Sequence, residues 1–190
     1  VEVAGQLSTI AASLTKVAND IRLMGSGPRS GIGELTLPST QPGSSIMPGK
    51  VNPVMSEMLV QAAIYVQGMS SIVVACGRDG HFELNVTIPL IAKALLESIT
   101  VLANASRTFS ERCVEGLQVN LEQCAEHVQR SLMLVTALNP HIGYDRAAAV
   151  AKKAYSENKT LREVVLEMGL MEERDLDAAL DPMEMIRPKE

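Results

Sequence analysis

The sequence has very few aromatic residues: it contains no tryptophan, and phenylalanine and tyrosine together make up only 3% of it. Strand-like alternation of apolar and polar residues is also nearly absent, and only residues 34–37 (ELTL) hint at it. Strands are usually rich in aromatic and β-branched residues that alternate in this way. The sequence therefore predicts an all-α fold.

Cysteine and histidine are scarce and widely spaced. The three cysteines are Cys76, Cys113 and Cys124, and the three histidines are His81, His127 and His141. No CxxC, HExxH or paired-histidine spacing occurs, so neither a metal centre nor a redox site is expected. We expect the cysteines to be small core residues in a reducing compartment and the histidines to be structural.

The sequence also lacks a cluster of basic residues, and its net charge is −5 at pH 7. Nucleic acids and anionic membranes are bound by basic surfaces, so neither is an expected partner. No apolar run approaches the ~18 residues that span a bilayer, and residues 1–24 lack the layout of a signal peptide, which predicts a soluble protein. Because Val1 is not a start methionine and lies within a helical repeat, we expect a fragment of a longer chain.

What the sequence does contain is long helical periodicity. Apolar residues of the first segment alternate spacings of four and three, at Val3, Leu7, Ile10, Leu14, Val17, Ile21 and Met24. This a/d pattern predicts a long helix in a bundle, ended by residues 25–28 (GSGP). A second helix is predicted over about 53–76 with Asn52 as its N-cap, and a third over about 87–113.

The second helix is apolar almost all round, and such a helix must be buried on all sides. It is either the central helix of this chain's core or part of an oligomer in which bundles from several subunits join. We favour the oligomer, because a chain of 190 residues has too few other helices to cover it.

Shorter helices are expected in the last third of the chain. Thr160 and Glu163 have the spacing of a capping box and predict a helix that Gly169 closes. Further helices are predicted at about 121–138, 146–156 and 172–180. The sequence therefore predicts three long bundle helices followed by a smaller helical domain.

The connection before the second helix carries the segment 43–53 (GSSIMPGKVNP). It does not fit a nucleotide phosphate loop, because five residues separate Gly43 from Gly49, and Lys50 is followed by Val51 rather than Ser or Thr. Residues 25–31 (GSGPRSG) misplace the last glycine of a dinucleotide loop (GxGxxG) by one residue. Ser44 and Ser45 do not have the SxxK spacing to Lys50, and no GxSxG motif occurs. A phosphate-binding or hydrolytic role is therefore not predicted.

The same segment could instead hold a carboxylate. The start of the second helix presents unpaired N–H groups and the positive end of the helix dipole, Lys50 adds a full charge, and Asn52 adds amide donors. The plainer alternative is a solvated Gly/Ser/Pro linker with an ordinary helix cap, in which Glu57 is a surface charge. The residues alone leave both interpretations open.

Residues 43–53 resemble the signature of the fumarase/aspartase superfamily, GSSxMPxKxN, at every specified position. Three further segments are similar to class II fumarases: 26–35 (SGPRSGIGEL), 80–86 (GHFELNV) and 131–145 (SLMLVTALNPHIGYD). The resemblance implies an all-helical subunit whose central helices join those of three other subunits in one bundle. Residues 1–120 would be the C-terminal part of that central domain with the signature loop, and residues 121–190 the small helical C-terminal domain.

The resemblance also implies a reaction, the reversible anti-elimination of water from (S)-malate to fumarate in the tricarboxylic acid cycle, with neither metal nor organic cofactor. A base removes the proton next to a carboxylate, and a general acid assists departure of the hydroxyl group. By position in the signature, Ser44 matches the base and Ser45 matches a substrate-contacting residue.

Three more positions of the signature, Lys50, Val51 and Asn52, match the family segment that binds the carboxylate in which negative charge develops. Glu57 corresponds to an acid that pairs with a histidine of another subunit. None of the three histidines in this chain corresponds to that partner, so the resemblance implies shared active sites in a homotetramer.

Two other interpretations stay open. Val54 after Asn52 and Pro53 is closer to aspartases, which makes aspartate ammonia-lyase the second candidate. The chain could also be an inactive helical module for structure or oligomerisation, because it would hold only part of each composite site. The expected ligand is a small dicarboxylate, malate or fumarate, and the expected location is the cytoplasm, with a mitochondrial location also compatible.

Overall fold

The computed structural model describes residues 1–41, 47 and 50–186, which form two compact units, Val1–Asn120 and Leu121–Glu190. Unit 1 contains α1 (Glu2–Met24), β1 (Leu35–Thr36), α2 (Val54–Gly77), α3 (Ile88–Phe109), a π-helical turn (Ser110–Val114) and β2 (Gln118–Val119). Unit 2 contains α4 (Leu121–Arg130), a 3-10 turn (Leu132–Leu134), α5 (Val135–Ile142), α6 (Tyr144–Glu157), α7 (Leu161–Glu167), α8 (Glu173–Ala179) and α9 (Pro182–Ile186). Helices dominate both units, which confirms the all-α prediction.

The three long helices of unit 1 pack side by side. At one end of the bundle, Ala18 of α1, Leu59 of α2 and Phe109 of α3 pack together. At the other end, Ala4 packs with Val73 and Ala94. The order of these contacts along the chain means that α2 runs antiparallel to both α1 and α3. The weak strand signal at residues 34–37 corresponds to β1, which pairs antiparallel with β2.

The contact seam of α1 lies one residue away from the predicted seam. Three alanines spaced seven residues apart are fully buried: Ala4, Ala11 and Ala18. The larger residues that precede each of them are about half exposed: Val3, Ile10 and Val17. The a/d prediction was therefore right about the helix and wrong about half of its seam, because close helix packing in this unit uses small side chains.

Within this chain α2 is buried along one stripe only. The stripe consists of Ser56, Leu59, Ala63, Val66, Val73 and Cys76. On the other side, Ile64 and Val74 are 59% and 49% exposed. The described residues of unit 1 therefore do not bury α2 on all sides as predicted.

Two helical segments, Val54–Gly77 and Ile88–Val114, are long and apolar enough to cross a membrane by length and composition alone. The expectation that no apolar segment reaches this length was therefore wrong. Core helices of soluble proteins pass the same test, so the finding by itself does not place the protein in a membrane.

Asn85 holds the turn between α2 and α3. Its Nδ2 donates to the carbonyl groups of Cys76 and Asp79, and its Oδ1 accepts from the N–H and hydroxyl groups of Thr87. These bonds fix where α3 begins, and Pro89 fits its first turn as predicted.

The helix predicted over 121–138 is broken in the structure. Ser131 is extended, with φ −70° and ψ 123°, and its Oγ accepts a hydrogen bond from the N–H group of Met133. A serine that caps the following turn in this way competes with continuation of the preceding helix. The prediction of one continuous helix was therefore wrong.

The capping box that begins α7 is confirmed. Thr160 Oγ1 accepts from the N–H group of Glu163 at 3.2 Å, and a Glu163 carboxylate oxygen accepts from the N–H group of Thr160 at 2.7 Å. Gly169 follows the helix at φ 60°, a left-handed conformation that suits glycine. Local sequence rules thus predicted both ends of this helix.

Two of the three cysteines are core residues as expected. Cys76 and Cys113 are buried, and none of the three cysteines forms a disulfide in the described part of the chain. Cys124 is only half-buried in α4, so the core prediction does not hold for it.

Carboxylates of unit 2 are held by hydrogen bonds at its surface. The backbone and hydroxyl of Thr160 lower the pKa of Glu163, and hydrogen bonds from Lys159 and Lys153 lower the pKa of Glu167. Hydrogen bonding to Arg162 lowers the pKa of Asp177 in the same way. Because the folded state favours their ionised forms, these groups stabilise unit 2 at neutral pH.

We predict that this stabilisation is present above about pH 5 and is lost as the pH falls below the unfolded-state carboxyl pKa values of about 4. Glu163→Gln should weaken the pH dependence, because glutamine keeps the capping-box acceptor but does not titrate. The measurement is the thermal unfolding midpoint between pH 6 and pH 3. Glu172→Gln, at an exposed side chain that no described residue binds, is the control. Equal pH dependence in both variants would contradict the prediction.

Candidate active site at the start of helix α2

The start of α2 is built by an unusual turn at Pro53. The N–H group of Val54 donates to the carbonyl of Asn52 at 2.8 Å, and Pro53 has φ −78° and ψ 55°. These values define an inverse γ-turn. Pro53 is therefore the N-cap, α2 begins at Val54, and no side chain caps the helix, so the predicted N-cap role of Asn52 was wrong.

This turn leaves backbone donors at the helix start. The first N–H group bonded in the helical pattern is that of Glu57, which donates to the carbonyl of Pro53 at 3.1 Å. In the part of the chain that the structure describes, the N–H groups of Met55 and Ser56 donate to no acceptor. Unpaired N–H groups at the positive end of a helix dipole attract anions.

Lys50 and Val51 lie just before this helix start and are exposed, and Asn52 is half-buried. The backbone N–H group of Lys50 donates to the carbonyl of Met47 at 3.1 Å. Its ammonium group pairs with no acidic residue in the described ranges. The structure thus places Lys50, Val51 and Asn52 in one short segment with a cation and amide donors next to the start of α2.

Glu57 lies in the first turn of α2 and is half-buried. Its side chain forms no ion pair with a described residue. Because its N–H group donates to the carbonyl of Pro53, Glu57 lies within one helical turn of the end of the Lys50–Asn52 segment. The other two predicted residues, Ser44 and Ser45, lie outside the described residues, so their roles remain predictions.

Sequence reasoning missed Ser56. Its side chain is 1% exposed, and its Oγ has no hydrogen-bond partner among the described residues. Buried hydroxyl groups are normally paired, so an unpaired one requires an explanation. The available sequence signal was a serine on the otherwise apolar buried stripe of α2.

The histidines give no alternative centre. His81 and His141 are exposed, and His127 is half-buried, with Nε2 3.0 Å from Nε2 of Gln123. The described part of the chain contains no group of three or more His, Cys, Asp or Glu residues placed to hold a metal ion. Of the three histidines, only His127 has a side-chain hydrogen bond to another described residue, so the predicted structural role is visible for this histidine alone.

A cavity of about 380 Å³ in unit 2 is lined by Arg130, Asn158 and Lys159, among others. Lys159 is already paired with Glu157 and Glu167, and Arg130 lies 3.6 Å from Glu126. Because its two cations are neutralised by neighbouring carboxylates, this cavity is a poor site for an anion.

Comparisons with known proteins place the chain in a family. Residues 1–68 match the family described as Lyase, and residues 134–187 match the family described as Fumarase C C-terminus. Across 100% of its length the chain is 52% identical to "Fumarate hydratase 1, mitochondrial" of Arabidopsis thaliana, and it covers 39% of that protein. It is 54% identical, over 93% of its length, to "Fumarate hydratase class II" of Thermosynechococcus vestitus and covers 38% of that protein.

A solved structure agrees with these matches. The crystal structure of recombinant class II fumarase from Schistosoma mansoni superposes with a TM-score of 0.89 at 42% identity, over 98% of this chain and 39% of that chain. The chain spans about two fifths of the length of the relatives that it matches. Because its sequence and its fold agree with these relatives, the chain belongs to the class II fumarase family and corresponds to the C-terminal portion of its members.

Proposed function

We propose that this chain is part of a fumarate hydratase, a hydro-lyase that reversibly eliminates water from (S)-malate to give fumarate. The observation that carries the proposal is the identity of 52% to a fumarate hydratase across the whole chain, together with an intact signature at residues 43–53. The arrangement at the start of α2 suits this chemistry because it attracts a carboxylate.

In the proposed reaction, Ser44 removes the proton from the carbon next to a substrate carboxylate. The electron pair moves into that carboxylate, which becomes a doubly charged aci-carboxylate, and the hydroxyl group leaves from the opposite face with a proton from a general acid. Ser45 contacts the substrate. The residues that receive the developing charge must be cations or hydrogen-bond donors fixed in place before the reaction.

The Lys50–Asn52 segment and the start of α2 supply such donors. Lys50 carries the full positive charge, Asn52 provides amide hydrogens, and the unpaired N–H groups of Met55 and Ser56 lie one turn further on. Negative charge that grows during proton removal is stabilised more strongly by this arrangement than the charge of the bound substrate. The same positive environment would favour the alkoxide form of Ser44, since an ordinary serine hydroxyl is a very weak base.

Glu57 completes this chain's share of the site. We propose that it pairs with a histidine from another part of the assembled protein, as the family resemblance implies. In unit 1 the only histidine is His81, which follows the opposite end of α2.

The assembled protein is proposed to be a homotetramer with shared active sites. Support comes from the exposed apolar residues on the long helices: Val3, Ile10, Val17, Ile64, Val74, Leu90, Leu96 and Ile99. An apolar surface of this extent on bundle helices marks an interface. Partner helices from other copies would bury it and would complete the burial of α2.

A soluble enzyme is consistent with the relatives, which include mitochondrial proteins as well as the Thermosynechococcus vestitus protein. We propose a cytoplasmic location, and a mitochondrial one fits the same relatives. Aspartate ammonia-lyase is the second candidate activity, because a valine after Asn52 and Pro53, here Val54, is closer to aspartases than to fumarases. The substrate comparison below separates the two.

We predict that the 190-residue chain alone does not convert malate, because it supplies only part of each site. The full-length protein that contains this chain should produce fumarate from (S)-malate and no ammonia from aspartate. Ultraviolet absorbance of fumarate and an ammonia assay measure the two reactions. Turnover by the clean chain alone would contradict the shared site, and ammonia release would favour the second candidate.

Ser44→Ala in the full-length protein should abolish turnover while the oligomer stays intact, because alanine cannot accept the proton. Steady-state assays with malate and size-exclusion chromatography measure the two properties. If this variant kept the activity of the unsubstituted protein, Ser44 would not be the base.

Lys50→Met should lower kcat/KM for malate by about 10²–10³-fold, the usual effect of removing one fixed donor to a developing oxyanion. Lys152→Met is the matched control, because Lys152 is an exposed lysine of unit 2. Steady-state kinetics of both variants give the comparison. A loss no greater than that of the control would remove Lys50 from the carboxylate site.

A further inference from the structure

Ser56 lies in the first turn of α2, shortly after the inverse γ-turn at Pro53, and its buried hydroxyl belongs to the first residue of the buried stripe of α2. The Ser56 side chain is 1% exposed, and its Oγ forms no hydrogen bond with any described residue. An alanine at this position would remove an unpaired buried hydroxyl without opening a large cavity. A serine at such a position costs stability relative to alanine, so packing alone does not account for it.

The polar group that faces Ser56 is the thiol of Cys113. This side chain is 3% exposed and belongs to the π-helical turn Ser110–Val114, which contacts α2. Burial raises the pKa of the Cys113 thiol, and the nearby Ser56 hydroxyl acts in the opposite direction. Cys113 packs in one buried cluster with Leu59 and Met55, the α2 residues on either side of Ser56. The thiol therefore lies beside the Ser56 hydroxyl, which forms no hydrogen bond with a described residue.

The π-helical turn is what brings Cys113 to this place. The N–H group of Glu115 donates to the carbonyl of Ser110, five residues back, at 3.0 Å. The buried residues of this helix are Ala94, Ser98, Leu102, Ala105, Phe109 and Cys113, mostly spaced by four residues. This exceeds the 3.6-residue period of an α-helix, so a regular helix would rotate Cys113 away from the seam. The wider turn keeps it facing α2, and such turns are frequent at functional sites.

The backbone of Ser56 is part of the proposed site. Its N–H group is one of the two unpaired donors at the helix start, and its neighbour in sequence is Glu57. Because the side chain and the N–H group of one residue move together, fixing the Ser56 side chain fixes the direction of that donor. The same contact sets the rotation of the first turn, and hence the direction of Glu57.

We propose that Ser56 and Cys113 are positioning residues that orient the first turn of α2 for carboxylate binding, an inference that rests on the proposed hydratase function. The contact holds the donors of the helix start toward the carboxylate in which charge develops. It does so at some cost in stability, as is common where a site requires a fixed geometry.

In the full-length protein, Ser56→Ala should lower kcat for malate about 10-fold, with KM changed less than twofold and the thermal midpoint unchanged or higher. Ser56→Cys, which keeps a small polar hydrogen-bonding group, should restore kcat to within about threefold of the unsubstituted protein. Cys113→Ala should lower kcat to a similar extent, and the double variant Ser56→Ala/Cys113→Ala should be no slower than either single variant, because both act through one contact.

Matched controls are available in the same bundle. Ser98 is a buried serine of α3 whose hydroxyl donates to the Ala94 carbonyl, and Cys76 is a buried cysteine at the far end of α2. Ser98→Ala and Cys76→Ala should leave kcat unchanged, even if the thermal midpoint shifts. A kcat for Ser56→Ala equal to that of the controls, or additive losses in the double variant, would overturn the proposal.

A second measurement separates this proposal from the function on which it rests. Hydrogen–deuterium exchange of the amides in residues 54–57 should be faster in Ser56→Ala than in Ser98→Ala, whether or not the protein converts malate. An unsubstituted protein without hydratase activity would overturn the proposed function alone. Unchanged exchange at residues 54–57 would overturn the positioning role.

Discussion

The structure of unit 1 depends on the small side chains along α1. Ala4, Ala11 and Ala18 recur every seven residues and are almost completely buried, so the backbones of α1 and α2 can lie close together. A larger residue at any of these positions would push the helices apart. Close approach also fixes the rotation of α2 about its own axis, because Leu59 must face this seam. The direction of the helix start, where the proposed substrate carboxylate binds, is therefore set by packing along the whole helix.

The same constraint explains why so much apolar surface remains outside. With alanines in the seam, β-branched residues such as Val3 and Ile10 face away from α2, and no described residue of unit 1 covers the second side of α2. Because the small residues fill the contacts inside the bundle, the larger apolar residues lie on its outer surface, where they can contact other chains. In the proposed tetramer this surface and the active site are linked, because the helices that bind other copies also carry the residues that bind the substrate.

Local rules predicted the elements better than their contacts. The C-terminal end of α1, the Thr160 capping box and the proline in the first turn of α3 follow from propensities and hydrogen bonds over a few residues. The seam of α1 was predicted one residue away from its observed position. The prediction followed hydrophobicity, which favours valine over alanine, whereas the short distance between α1 and α2 favours alanine. Ser131 broke a predicted helix through one side-chain bond, which periodicity does not detect. The signature predicted the site at the start of α2, but Ser56 required the fold, since its burial without a hydrogen-bond partner distinguishes it from an ordinary helical serine.

The charges at the start of α2 explain why the proposed site must extend beyond this chain. The unpaired N–H groups and Lys50 attract one carboxylate, yet Glu57 already places a carboxylate in the first turn. Two negative charges at one helix start repel each other unless one shares a proton or pairs with a cation. If Lys50 paired with Glu57, no cation of this segment would remain for the substrate. A partner for Glu57 from elsewhere in the assembly, such as the histidine that the family resemblance implies, leaves Lys50 for the substrate.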